Sequence, residues 1–339
     1  MTLRLGTRRS ALALAQSQRV ADALAAVAGE DVELVPIVSE GDVNRASLSQ
    51  LGGRGVFATT LREALVAGRC DLLVHSLNDL PTAQPDGLVI AAIPAREDAR
   101  DVFVTRDGTP LADLRDGAEV GTGSPRRIAQ VHRRNPRVRV RDIRGNVDSR
   151  LSRVREGDLD AVVLAAAGLA RLGGDGDELL DGLHAEPLGL ADWPTAPGQG
   201  ALAVETRADA DPALLAALAA LDDLDTRVAV TAERRVLSAL DAGCAAPLGA
   251  HAEVAAGDLR LNAIVYAADG ARRIGLDRTV RLAGLPASDR GYGGESGSSN
   301  GAHAADGADP IARAARTGDD VARRLLERGA ADLVPREST

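Results

Sequence analysis

The sequence predicts an α/β protein of two units followed by a small α+β tail. Short apolar runs alternate with stretches of helical apolar spacing from the first residues to about residue 172, the pattern of βαβ units and a largely parallel sheet. From residue 211 the order changes to two helices, a run of strands and one last helix. No run of about 18 apolar residues interrupts the pattern, so no transmembrane helix is expected. At 339 residues the chain is long enough for two or three cores.

Residues 3–5 form the first expected strand. Gly6-Thr7-Arg8-Arg9-Ser10 leads into a helix with apolar spacing at Leu12, Leu14, Val20, Leu24 and Val27. Residues 32–38 are a second strand, 42–55 are irregular and glycine-containing, and 57–67 return to helical spacing. The next apolar run, 72–74, stops at His75-Ser76-Leu77-Asn78-Asp79 before Pro81 blocks regular continuation. It reads as a buried strand delivering polar side chains to a loop at its C-terminal end, where ligands bind in open α/β sheets. Alone, Asp79 reads equally well as a cap or turn residue. Residues 88–93 supply another apolar run.

The second unit begins near Asp101, with a strand at 102–105. Glu119-Val120 leads into G-T-G-S-P-R-R, where Ser124 suits the N-cap and Pro125 the first helical position of a helix running to about Arg134. A strand at 138–140 precedes I-R-G-N-V-D-S-R-L, which opens a further helix, and a buried strand at 161–164 precedes A-A-A-G-L-A-R-L-G. Backbone amides at these helix starts, with Arg126, Arg127, Arg144 and Arg150 nearby, suit anions. Ordinary strand-to-helix turns explain them equally, and neither stretch matches a nucleotide fingerprint. After Trp193, P-T-A-P-G-Q-G-A-L-A-V-E is expected to turn and return as a strand to the first sheet. Residues 211–240 give two helices broken around 222–225, 242–247 a loop, 251–265 and 272–280 an antiparallel meander, and 311–328 an amphipathic helix. Residues 286–306 form a low-complexity insert.

The chain has no lysine; all forty basic residues are arginine. That excludes Schiff-base catalysis by a lysine and leaves cationic recognition to guanidinium forks, which suit carboxylate and phosphate. Five aromatics, Phe57, Phe103, Trp193, Tyr266 and Tyr292, offer little for stacking bases. Between residues 126 and 155 eleven arginines face only Asp142 and Asp148, a balance of +9; the whole chain is −9, so the remainder sums to −18. A basic segment in an acidic protein points to an anionic ligand, although solvated helix faces account for part of it. Cys70 and Cys244 lie too far apart in sequence for a metal or disulfide framework. With no secretory pattern in M-T-L-R-L-G-T-R-R-S, a reducing, cytoplasmic setting is expected.

The blocks G-T-R-R-S-A-L-A-L-A-Q (6–16), L-G-G-R-G-V-F (51–57), V-H-S-L-N-D-L-P (74–81), R-E-D-A-R-D-V-F-V (96–104), G-T-G-S-P-R-R (121–127), R-G-N-V-D-S-R-L (144–151), L-A-A-A-G-L-A-R-L (164–172), P-G-Q-G-A-L (197–202) and G-C-A-A-P-L-G (243–249) stand in family order. Through them the chain resembles the porphobilinogen deaminase, or hydroxymethylbilane synthase, family over nearly its whole length. The resemblance implies two periplasmic-binding-protein-like (type II) α/β domains, 1–97 with 194–212 and 98–193, and a C-terminal α+β domain, 213–339. It implies a transferase joining four porphobilinogen units, with loss of ammonia, into linear hydroxymethylbilane in tetrapyrrole biosynthesis. The growing chain would be carried on a dipyrromethane cofactor bound through a thioether to Cys244. Asp79 matches the catalytic aspartate and also a cofactor contact. Ser124, Arg126, Arg127 and Arg144 match cofactor-binding positions; Arg8, Ser10, Arg54, Phe57, Arg144, Arg150, Arg171 and Gln199 match substrate-binding ones. No metal, nucleic acid or membrane is implied, and a monomer is expected. Cys70 matches no functional position and reads as a small buried residue.

Three positions depart from the family. The residue before the aspartate is usually lysine and is Asn78 here; Gln50 and Arg54 stand where lysines are common. Asparagine donates a hydrogen bond but neutralises no carboxylate, so weaker substrate binding is expected there, offset by Arg54. The alternative reading is an anion-binding or sensor protein of the same architecture without catalysis.

Overall fold

The computed structural model describes residues 2–38, 56–173, 177–240, 246–282 and 309–333. The first sheet contains β1 (Leu3–Thr7), β2 (Val32–Pro36), β3 (Leu72–Ser76), β4 (Leu88–Ala92) and β10 (Leu202–Arg207), in the order β2-β1-β3-β10-β4. β1 runs parallel to β2 and β3, whereas β10 runs antiparallel to both β3 and β4. The second sheet contains β5 (Asp101–Thr105), β6 (Glu119–Gly121), β7 (Arg139–Arg141), β8 (Ala161–Ala165) and β9 (His184–Pro187), in the order β7-β6-β8-β5-β9. Here β6 is parallel to β7 and β8, and β5 is antiparallel to β8 and β9.

Each sheet therefore holds one reversed strand in fourth place. That strand enters directly from the other sheet: β5 follows β4, and β10 follows β9. The chain crosses between the sheets twice, through residues 93–100 and 188–201.

The strands are apolar on both sides because both faces are covered. In β3, Leu72 and Val74 join α1 (Ala11–Ala28) through Val20, Ala21 and Leu24. Leu73, on the opposite face by the two-residue alternation, joins Leu61, Ala64 and Leu65 of α2 (Val56–Val66). The second sheet repeats this division. Phe103 and Val163 serve one core and Val102, Val104, Val162 and Leu164 the other. Its helices are α3 (Pro125–Arg134), α4 (Val147–Arg155) and α5 (Ala166–Gly173), and α6 (Pro212–Ala219) completes the first unit's cover.

The C-terminal unit is an antiparallel meander of β11 (Leu248–Ala255), β12 (Asp258–Tyr266) and β13 (Arg273–Arg281). It packs against α7 (Leu224–Ala239) and α8 (Pro310–Glu327), with Val228, Ala232 and Val236 meeting Leu261, Ala263, Val321 and Leu325. The antiparallel meander expected over 251–265 and 272–280 is present, with 251–265 divided between β11 and β12. Ala256 and Gly257 both take positive φ, 51° and 78°, and close the chain into a two-residue hairpin. The A-A-G-D stretch lacks the Asn-Gly signal that would have marked the turn.

The architecture is thus the expected one in its layout: two α/β sheets with covered faces and a C-terminal α+β unit. Among the described residues no helix is long and apolar enough to cross a membrane. The insert at 286–306 lies outside the described residues.

Candidate active site

Parallel pairing sets the site. β1 and β3 are neighbours, with Leu5 opposite Leu72 and Gly6 opposite Leu73, so their C-terminal ends share one sheet edge. Arg8 follows β1 there, and the 3-10 turn Leu77–Asp79 follows β3. Only a glycine allows this close approach at residue 6: a Cβ would stand 2.7 Å from Leu73 Cδ2 and 2.8 Å from Cys70 Sγ. Cys70 is wholly buried, and burial pushes its thiol up to about 11, so it is inert as a nucleophile.

Leu77 and Leu80 are buried, while Asp79 between them is open to solvent. Asn78 Nδ2 donates to Asp79 Oδ1 at 3.0 Å. Desolvation by the surrounding protein raises the Asp79 pKa, with the charges of Arg8 and His75 opposing it. Because Asp79 is exposed, its contact with water tempers that rise. Behind it, buried His75 Nε2 lies 3.1 Å from Glu205 Oε2, and Arg62 Nη2 donates to Glu205 Oε1 at 2.8 Å. Burial alone would raise Glu205, but His75 and Arg62 outweigh it and hold Glu205 at about 2.

The start of α3 carries the second cluster. Ser124 caps the helix, accepting from Arg127 N at 3.5 Å. Arg126 Nη1 and Arg127 Nη2 donate to the two oxygens of buried Asp101, at 2.9 and 2.6 Å. Trp193 Nε1 donates to Oδ2 at 2.8 Å and Gln199 Nε2 to Oδ1 at 2.9 Å. Burial would raise Asp101, yet the two guanidiniums and the Trp193 bond hold it well below the usual carboxylate range. The Nε atoms of Arg126, Arg127 and Arg171 are buried without a hydrogen-bond partner among the described residues. Arg171 Nη2 donates to Gly200 O at 2.6 Å, and burial brings its pKa down to about 10. Burial first, then the charges of Arg127 and Arg144, lower Arg150, against the pull of Asp142. Arginines thus outnumber nearby acids here.

The structure brings Arg8 to Asp79, and Arg127, Arg144 and Arg150 to one another. Gln199 and Arg126 belong to the buried network around Asp101, and Arg171 to the crossing at Gly200. Ser10 is the N-cap of α1, accepting from Ala13 N at 3.2 Å. The Phe57 side chain, Gln50, Arg54 and Cys244 lie outside the described residues. Sequence reasoning did not single out Asp101 or the His75–Glu205–Arg62 network as functional; Asp101 and His75 stand within the quoted family blocks, whereas Arg62 and Glu205 stand in none and carry no local signal. A separate cavity of about 450 Å³ is lined by Arg133, Arg272, Arg273 and Arg328 and shares none of these residues.

Residues 3–215 match the family model for the "Porphobilinogen deaminase, dipyromethane cofactor binding domain", and 227–283 the one for the "Porphobilinogen deaminase, C-terminal domain". The chain belongs to the porphobilinogen deaminase family. A relative of that name from Leifsonia xyli subsp. xyli is 51% identical over 337 residues, covering 98% of this chain and 94% of its own. Porphobilinogen deaminase 1 of Streptomyces coelicolor is 54% identical over 286 residues, 82% of this chain and 88% of its own. The Thermobifida fusca relative is 47% identical, covering 98% and 95%. Among solved structures, a Salmonella typhimurium periplasmic binding protein of high arginine specificity aligns over 65% of this chain and 91% of its own, at 16% identity and TM-score 0.37. The second substrate binding domain of GlnP from Lactococcus lactis covers 65% and 87%, at 10% identity and TM-score 0.39. Likeness at that level speaks to neither ligand nor mechanism.

The residues present fit the dipyrromethane of this family. Its pyrroles carry carboxylates, and buried guanidinium nitrogens with unspent donors, on Arg126, Arg127 and Arg171, are what carboxylates require.

Proposed function

We propose that this protein is a hydroxymethylbilane synthase: it joins four porphobilinogen units head to tail, releasing ammonia at each step. The observation that carries the reading is a lone, accessible carboxylate, Asp79, at the edge shared by β1 and β3, accompanied by Arg8. When ammonia leaves the aminomethyl carbon of porphobilinogen, positive charge spreads onto the pyrrole nitrogen. A fixed carboxylate beside that N–H stabilises charge that exists only as the bond breaks, and can also take the proton. Asn78 Nδ2 orients the carboxylate without cancelling its charge. Arg8 holds a substrate carboxylate near it, with Ser10, Phe57 and Arg54 completing that side.

Arg126, Arg127, Arg144 and Ser124 would hold the dipyrromethane, attached at Cys244, and Arg150, Arg171 and Gln199 the growing chain. When bound, the cofactor supplies the nucleophilic pyrrole carbon that receives the first unit. The domains are 1–97 with 194–212, 98–193 and 213–339; the sheet memberships support this division, although α6 (Pro212–Ala219) packs on the first unit, past the 212 limit. The protein acts as a cytoplasmic monomer. A binding protein without turnover would need none of the Asp79 arrangement.

Intact mass tests the carrier. Freshly purified protein should carry the added mass of two linked pyrrole rings, absent from Cys244→Ala; an unmodified Cys244 in active protein would sink the assignment.

A further inference from the structure

The loop that carries Asp79 is held from behind by the C-terminal unit. Arg234 on α7 donates through Nη1 to the carbonyls of Leu77 and Leu80, both at 3.0 Å, and through Nη2 to Pro81 O at 2.6 Å. These carbonyls flank Asn78 and Asp79 on both sides. Leu77 O also closes the 3-10 turn by accepting from Leu80 N at 3.2 Å, so turn and guanidinium share an acceptor.

Packing does not do this alone. Val230, one helical turn before Arg234 on the same face, is buried with Leu77 and Leu80. Beside this contact lies an open groove of about 210 Å³, lined by Leu77, Thr82, Ile90, Val230 and Arg234 among others. A backbone segment bordered on one side by an open groove has its packing there from Leu77 and Leu80, and its hydrogen bonds to Arg234 complete its hold on α7. The neighbouring Glu233, fully buried, accepts from Gly198 N at 2.6 Å and pairs with Arg96 at 2.7 Å. Gly198 in turn lies against the loop, since a Cβ there would stand 3.0 Å from Leu77 Cγ. Consecutive residues of α7 thus hold both segments at this edge, and α7 ends at Ala239, five positions before Cys244.

We infer that Arg234 is a positioning residue: through the backbone of residues 77–81 it fixes the Asp79 carboxylate relative to the helix that leads to Cys244. The inference rests on the proposed function. Arg234 works by geometry, not charge, because burial, Arg8 and His75 are what set the ionisation of Asp79.

The test compares Arg234→Gln and Arg234→Lys with Arg235→Gln, whose guanidinium pairs instead with surface Asp319 at 2.8 Å. Turnover of porphobilinogen is measured per cofactor-loaded molecule, loading being counted by intact mass, across pH. Arg234→Gln should lose kcat on the order of 10²-fold, with KM and the pH profile in place. Arg234→Lys, whose ammonium cannot fork three carbonyls in a plane, should stay below wild type, and Arg235→Gln should match wild type. Wild-type kcat per loaded molecule in Arg234→Gln, full restoration by lysine, or a displaced acid limb would each overturn the inference alone. A wild-type chain that releases no ammonia from porphobilinogen would overturn the proposed function and this inference together.

Discussion

Two aspartates at the two sheets show how one side chain serves opposite ends. Asp79 sits at an open edge, touched by a neutral amide from Asn78, with its pKa raised by desolvation. Asp101 is fully buried, bonded by Arg126, Arg127, Trp193 and Gln199, with its pKa held low. The difference is the number of partners. A carboxylate whose lone pairs are all taken glues an interface, whereas one left short of partners can meet a charge that arises during a reaction.

The comparison breaks most visibly on activity. Asp79→Ala should lower turnover by about 10²–10³-fold or more while leaving the melting temperature and cofactor loading in place; steady-state ammonia release reads it. Asp101→Asn should instead cost about 3–5 kcal/mol of stability, because it strands two buried guanidiniums; the denaturant midpoint reads that.

The pH dependence differs in sign. Asp79 has a raised pKa in the fold, so its ionised form costs stability at neutral pH, and Asp79→Asn should raise the melting temperature while removing activity. Glu205 lies at about 2 in the fold against 4.5 when released, so its network gives stability that is full above pH 4.5 and is lost as pH falls toward 2. Acid unfolding of Glu205→Gln should therefore be flatter across that window than that of wild type. Smaller effects come from the neighbour: Asn78→Ala should lower kcat about tenfold or less by freeing the carboxylate. Asn78→Lys should lower the Michaelis constant if the family lysine serves binding, and an unchanged value would assign that task elsewhere.

Much of this was legible in the sequence. Ser124-Pro125 announced the start of α3, and the abrupt end of 72–74 announced the edge that carries Asp79. The arginine run 126–155 pointed to an anionic ligand, but not to Asp101, twenty-five residues before Arg126, which pairs with two of its members. Long-range pairing leaves no local pattern, and only the fold brings the crossings beside α3. Arg234 was hidden for the same reason: among forty arginines, nothing local marks the one that clamps three carbonyls. Asn78 looked like a lost lysine, and its bond to Asp79 depends on a 3-10 turn that spacing does not reveal.

The central claim is that Asp79 serves the reaction and not the fold. Its most direct test is single-turnover ammonia release by cofactor-loaded Asp79→Asn at saturating porphobilinogen, with melting temperature measured on the same sample. The account predicts a loaded, folded protein, at least as heat-stable as wild type, whose ammonia release is slowed by about 10²-fold or more. Near-wild-type release, or a protein that loses its fold along with its activity, would contradict it.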